Sequence, residues 1–365
     1  MRARRRKGAR VWRSGAALAT LDLVSEDELE DELSRPGEGD IAAMRALEGD
    51  LIVLGVSGKM GPSLAKLARR ASDAAGGGRR GKGARRVIGV SRFSSRAVRA
   101  DLEGHGIETI AVDLLDRAAV MSLPDCPNVV YMVGQKFGTS GDSALTWATN
   151  VHVAGLAAER FARSRIVAFS TGNVYPLTPV SGGGPCESDP TGPVGEYAHS
   201  ALGRERILEY WSRRNATPMA ILRLNYAIEP RYGVLRDIAG NVASGEPVDL
   251  AMGFVNVIHQ RDANAIALRM LARCAVPPAV LNLTGPDTVS VRDIAERFGE
   301  RLDRKPVFRG TEGETALLSN AALCREMFGP LVAIDNMIEW VADWVREGGR
   351  DLGKPTHFDE REGRF

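Results

Sequence analysis

Asp50-Leu51-Ile52-Val53-Leu54-Gly55-Val56-Ser57-Gly58-Lys59-Met60-Gly61 is the stretch around which the rest of the chain can be read. Leu51 to Leu54 form an apolar run too short for a helix and suited to a buried parallel strand. Gly55, Gly58 and Gly61 follow at the spacing G-x-x-G-x-x-G, and Leu64, Leu67 and Ala68 behind them repeat at helical intervals. Strand, glycine turn and helix in that order predict a dinucleotide site. The first glycine permits the tight turn, the second lets the backbone approach a diphosphate, and the third lets helix pack on strand. The helix N-terminus offers unpaired N–H groups and partial positive charge to the phosphates. Gly55, Ser57, Gly58, Lys59, Met60 and Gly61 are the loop residues assigned to the nucleotide.

The chain has 365 residues, 44% hydrophobic and 26% charged, which allows a large core and two lobes. A net charge of +2 makes no case for a nucleic-acid partner. No apolar run approaches the roughly 20 residues of a membrane helix. Cys126, Cys186, Cys274 and Cys324 are scattered without a C-x-x-C pair. That pattern predicts a reduced, cytoplasmic protein and argues against structural zinc or a disulfide framework, so no metal site is assigned. Lysines are few: Lys7, Lys59, Lys66, Lys82, Lys136, Lys305 and Lys354.

Outward from the glycine turn, the pattern alternates. N-terminal to it lies a basic tail from Arg2 to Arg13, read as solvated. Two short helices follow: one opened by Ser25-Glu26-Asp27-Glu28 as a capping box, the other capped by Asp40. On the C-terminal side the basic glycine loop Gly76–Gly83 reads as an insertion. Strands are expected at 87–90, 107–112, 128–133 and 165–169, with helices at 147–164 and 197–211. This alternation predicts an α/β fold with a doubly wound parallel sheet. The second half reads as strands at 218–224, 248–257 and 280–283, with helices at 232–245, 261–274, 290–302 and 333–346.

In this order the motifs resemble those of the extended short-chain dehydrogenases/reductases, the superfamily of nucleotide-sugar epimerases and dehydratases. The resemblance runs from about Gly49 to Val345. Asp113-Leu114 is similar to the family's Asp near the adenine. Val133-Gly134-Gln135-Lys136 resembles the A-G-x-K loop of 4-epimerases, and Asn150-Val151 the Asn-Val of the next helix. Ser170-Thr171-Gly172-Asn173-Val174-Tyr175 is similar to S-[ST]-x-x-V-Y. Tyr197 to Glu205 matches Y-x-x-S-K-x-x-x-E except at Ala201. His259 and Asp262 fit the F-V-H-V-x-D step, and Asn282 to Asp293 resembles N-x-x-G…S-V-R-E. The resemblance implies a Rossmann-type dinucleotide-binding domain at 49–225 and a smaller α/β substrate lobe at 226–350. Outside them lie an extension at 1–48 and a tail at 351–365.

It also implies chemistry. The family tyrosine, here Tyr197, moves a proton on a substrate hydroxyl or carbonyl while a nicotinamide exchanges hydride, and Thr171 bonds the reacting oxygen. A free phenol has a pKa near 10, so lowering it by about 3 units needs about 4 kcal/mol of phenolate stabilisation. The family lysine that helps supply it is replaced by Ala201. Three readings follow. Lys136, or less directly Arg204, stands in as the cation; a different base such as His199 acts; or the site binds nucleotide without turnover. The first is preferred, with Lys136 assigned to catalysis beside Thr171 and Tyr197.

Cofactor preference turns on Ser91-Arg92-Phe93, where NAD-dependent relatives carry a carboxylate for the ribose 2′-OH. Arg92 facing a 2′-phosphate points to NADP over NAD. The cofactor set is completed by Ser91, Asp113, Leu114, Val133, Gly134, Lys136, Asn150 and Tyr197. Thr171, Asn173, Asn225 and Arg231 are assigned to substrate, and Asn256 and His259 are expected along the cleft. The expected activity is an NAD(P)-dependent oxidoreductase on a sugar or sugar-derived alcohol or ketone. The alternatives are a nucleotide-binding regulator or scaffold with a lapsed site, and a nucleotide-sugar epimerase or dehydratase with tightly held NAD. Relatives often dimerise through the two helices that correspond to 147–164 and 197–211, which makes a homodimer the expected assembly.

Overall fold

The structure is a computed structural model that describes residues 25–77, 85–136, 138 and 141–364. The basic tail and most of the Gly76–Gly83 loop lie outside the described residues. Seven parallel strands form the central sheet: β1 (Leu51–Leu54), β2 (Val87–Ser91), β3 (Glu108–Ala111), β4 (Asn128–Tyr131), β5 (Arg165–Thr171), β6 (Met219–Leu224) and β7 (Ala279–Leu283). Their order across the sheet is β7-β6-β5-β4-β1-β2-β3. The direction of winding reverses between β1 and β4, and the crevice at the carboxyl ends there is where such sheets bind ligands. β1 and β4 are buried at every residue because helices cover both faces, which is why β1 reads as an unbroken apolar run. β3, at the edge, is exposed at both ends.

Two apolar layers flank the sheet. One joins Leu64, Leu67 and Ala68 of the Gly61–Ser72 helix to Ile266 and Met270. The other joins Val153, Leu156 and Phe161 to Tyr131 and Leu208. A separate core of Leu235, Ile238, Ile294, Phe298, Ile338 and Val341 holds the second lobe together. β7, which lies within 226–350, returns to pair with β6. Chain therefore passes more than once between sheet and lobe.

Local departures have local causes. The helix expected at 147–164 begins earlier, as Ser143–Trp147, and passes through a π-turn at Ala148–His152 before Val153–Arg160. The helix bearing Tyr197 is Gly195–Asn215. Asp40 is not the cap of the second N-terminal helix. That helix is Glu38–Ala46, and the Asp40 carboxylate lies inside its first turn, accepting the Gly37 N–H at 2.8 Å. Ser25 does cap Glu26–Leu33 through the Glu28 N–H. Both helices are clamped to the body by charge: Arg231 to Glu30 at 2.7 Å, Arg261 to Asp40 at 3.3 Å, and Lys66 to Glu30 at 3.3 Å.

Candidate active site

A cavity of about 300 Å³ opens at the carboxyl ends of β1, β4, β5 and β6. Gly55, Gly58, Lys59, Met60 and Gly61 form one wall, and Val133, Gly134 and Lys136 form the next. Thr171, Asn173, Tyr197, Arg204 and Asn225 face them. The loop is shaped for a close ligand. Gly55 has φ +84°, and a Cβ on Gly61 would lie 2.2 Å from the Val56 carbonyl oxygen. Only glycine satisfies both positions. The Ser57 and Ser91 hydroxyls hydrogen-bond each other, tying the loop to the end of β2. Arg92 beyond them is exposed. Leu114 is buried, and Asp113 accepts the Leu115 N–H at 3.0 Å.

The residues matching the hydroxyl motifs converge. Thr171 ends β5 beside Leu224 of β6, and its Oγ1 accepts from Asn173 N (3.2 Å) and Nδ2 (3.0 Å). Tyr197 enters from the start of its helix. Beneath them Glu205 accepts from Ser170 Oγ (2.6 Å) and Arg223 Nη2 (2.8 Å), and Arg223 Nη1 donates to the Tyr175 hydroxyl at 2.6 Å. These partners are buried, so the network fixes β5, β6 and the helix relative to one another.

The place of the missing lysine is closed. Ala201 is fully buried against Val174 and Tyr175 and does not face the cavity. The Arg204 guanidinium does face it. It donates to the carbonyls of Asn150 (3.1 Å) and Phe169 (2.8 Å) and to Asn150 Oδ1 (2.9 Å). Lys136 Nζ donates to the Thr356 carbonyl at 2.9 Å, and burial pulls its pKa down to about 8 against the pull of Asp237. Burial likewise lowers Lys59 to about 7, with Glu229 opposing and Arg231 reinforcing the shift.

Four expectations are corrected. Asn150 does not line the cavity. It is wholly buried, and its amide bonds both backbone groups of Gln135 and the Ser200 hydroxyl, so it positions the strand-four loop from behind. Arg231 is turned away, saturated by Glu229, Glu30 and Glu26. Asn256 is buried between Asn225 and the Ser319 carbonyl. His259 is buried edge-on against Trp340. Asn225 does reach the cavity wall, although its Nδ2 is occupied by Asn256 Oδ1 at 2.7 Å.

Sequence reading missed Tyr226, Tyr232 and Thr356 as lining residues and underweighted Arg204. The tail carries no periodicity, yet its Thr356 lines the cavity. Thr356 donates to Asp237 Oδ2 through N (2.8 Å) and Oγ1 (2.6 Å), and Arg361 bonds the carbonyls of Ala251 and Thr315 at 2.8 Å each. Phe358, an apolar residue in a mostly polar tail, is buried and is a sequence signal that could have marked it.

A model of the NAD dependent epimerase/dehydratase family matches residues 51–283. No curated protein sequence matches the chain. Among solved structures, a putative epimerase from Burkholderia cenocepacia is 17% identical with a TM-score of 0.65, covering 82% of this chain and 98% of that one. UDP-glucose 4-epimerase from Thermotoga maritima, solved with UDP-glucose, is 16% identical with a TM-score of 0.65, covering 82% and 99%. The dTDP-glucose 4,6-dehydratase DesIV from Streptomyces venezuelae, solved with NAD, is 18% identical with a TM-score of 0.66, covering 82% and 97%. At such identities the likeness is one of fold.

Proposed function

Because the chain belongs to the NAD dependent epimerase/dehydratase family, we propose that it is an NAD(P)-dependent oxidoreductase acting on a sugar or sugar-derived alcohol or ketone. The observation that carries this reading is the convergence of Thr171 and Tyr197 on the cavity walled by Gly55, Gly58, Gly61 and Gly134. A nicotinamide nucleotide, when bound, supplies the hydride acceptor or donor. The loop backbone from Ser57 to Met60 and the N-terminus of the Gly61–Ser72 helix hold its diphosphate. Thr171 Oγ1 orients the substrate oxygen and Tyr197 gives or takes the proton on that oxygen. Lys136 and Arg204 supply positive charge to the same cavity in place of the lysine absent at 201.

The exposed Arg92 and the lack of a carboxylate at the end of β2 support NADP, whereas the solved relatives named with a cofactor hold NAD. All four cysteines are free, and Cys126 and Cys324 are buried, which supports a cytoplasmic protein. No helix among the described residues is long and apolar enough to cross a membrane. A homodimer is supported by an apolar hollow of about 640 Å³ between the helical run from Ser143 to Arg160 and the Gly195–Asn215 helix, lined by Trp147, Val151, Leu156, Ile207 and Trp211.

Tyr197→Phe removes the mobile proton and leaves the aromatic ring. We expect turnover to fall by about 10²–10⁴-fold with nucleotide affinity nearly unchanged. Full activity in that variant, measured once a substrate is found, rules out the tyrosine mechanism. Denaturing fresh protein and identifying any released nucleotide tests the alternative reading, since stoichiometric NAD marks an enzyme that recycles its cofactor.

A further inference from the structure

We propose that the substrate is a small sugar derivative bearing a carboxylate or phosphate, not linked to a nucleotide, and that Lys59 and the N-terminus of the Val234–Ser244 helix bind its anionic group. This rests on the functional reading above and adds the substrate class.

The cavity has a one-sided charge. Among the described residues, Lys59, Lys136 and Arg204 line it and no Asp or Glu does. The nearest carboxylates are engaged elsewhere, Asp237 by Thr356 and Glu229 by Arg231. Among the described residues, Lys59 Nζ is buried and has no hydrogen-bond partner. A buried ammonium without an acceptor is costly, so an anion that meets it is bound strongly. The Lys59 side chain leaves the glycine loop and reaches the substrate lobe, where Nζ lies 4.2 Å from the centroid of the Tyr232 ring. Tyr232 leads directly into the Val234–Ser244 helix, whose N-cap Gly233 has φ +117° and which no side chain caps. Tyr232, Gly233 and Val234 all face the cavity. The helix therefore presents its positive end where Lys59 arrives. The cofactor diphosphate already has the loop backbone and the Gly61–Ser72 helix on the other side, so this second cationic corner is free for the substrate.

Size narrows the class further. At about 300 Å³ the cavity is at the small end of ligand sites and must also admit the nicotinamide end of the cofactor. Thr356 is one of its walls, held by Lys136 on one side and Asp237 on the other. Phe358 and Arg361 anchor the same segment in the substrate lobe.

The charged and titratable groups facing Lys59 include Tyr232, Glu229, Arg231, Lys354 and His259, and Asp237 faces Lys136. Both lysines are depressed by burial, to about 7 and about 8, so an arriving anion draws a proton onto the site. The test is calorimetric titration of the full-length protein, with and without NADP, at about pH 8 in two buffers of different ionisation enthalpy. The ligands are glucuronate, glucose 6-phosphate, glucose and UDP-glucose. We expect one of the two small anions to bind at least about tenfold more tightly than glucose, with proton uptake. Which one it is separates carboxylate from phosphate. Lys59→Gln should lose about tenfold of that affinity together with part of the proton uptake, and Lys59→Arg should keep the affinity. Equal binding of glucose overturns the proposal, as does preference for UDP-glucose or failure of both small anions to bind at millimolar concentration. A Lys59→Gln variant that loses NADP but keeps the anion also overturns it, by assigning Nζ to the cofactor. Anion binding without NADP binding would refute the oxidoreductase reading and leave this one standing.

Discussion

Arg223 and Glu205 show how much of the site is held by single side chains. Both are buried, 2.8 Å apart, and Ser170 and Tyr175 complete the hydrogen bonding of the pair. Arg223→Met leaves the Glu205 carboxylate uncompensated, so stability should fall by about 3–5 kcal/mol, read from the urea midpoint. His259 gives a pH signature. Burial pushes its pKa down to about 3, from 6.5 when exposed. The unfolded chain therefore binds a proton that the folded one refuses. The stability His259 contributes is complete above pH 6.5 and is lost as pH falls toward 3. His259→Phe should flatten the decline of melting temperature between about pH 6 and pH 4, relative to the parent, and an unchanged slope would refute this assignment. The motif positions of Thr171 and Tyr197 were legible because chemistry restricts residue type there. Asn150 and Arg231 were legible as polar residues only. Which way each side chain turns depends on Gln135 and Ser200 for one and on Glu229 and Glu30 for the other.

Among the elements, the two N-terminal helices act as a clamp. Glu30 meets both Arg231 and Lys66, and Leu29 and Leu33 pack with Trp344. A double-mutant cycle on Glu30→Gln and Arg231→Met should give a coupling of about 0.5–3 kcal/mol in unfolding free energy. Additive effects would mean that the apolar contacts alone hold the helix. The strands and helices of the N-terminal half were predictable because each carries its own period, with four buried residues in β1 and the i, i+3, i+4 face of Leu64, Leu67 and Ala68 in the helix after it. The 248–257 stretch was read as one extended segment. It forms the short pieces Val248–Asp249 and Phe254–Val255, because each pairs with a different distant partner.

For the whole molecule, the exposed Trp147 and the half-buried Ile207 lie on the apolar face that the proposed homodimer would cover. Ile207→Glu should convert a dimer to a monomer in light scattering, and a protein already monomeric would refute the assembly. The alternation of strands and helices and the glycine turn were determined by the sequence alone, since periodicity and the steric limits at Gly55 and Gly61 act within each element, whereas the order of the strands across the sheet came from the tertiary structure. The identity of the cavity's walls was decided only by tertiary structure. Thr356 lies 220 residues from Lys136, and β7 reaches the sheet from within the second lobe. Contacts at such separation leave no local pattern, because a backbone carbonyl can bond a lysine whatever residue bears it.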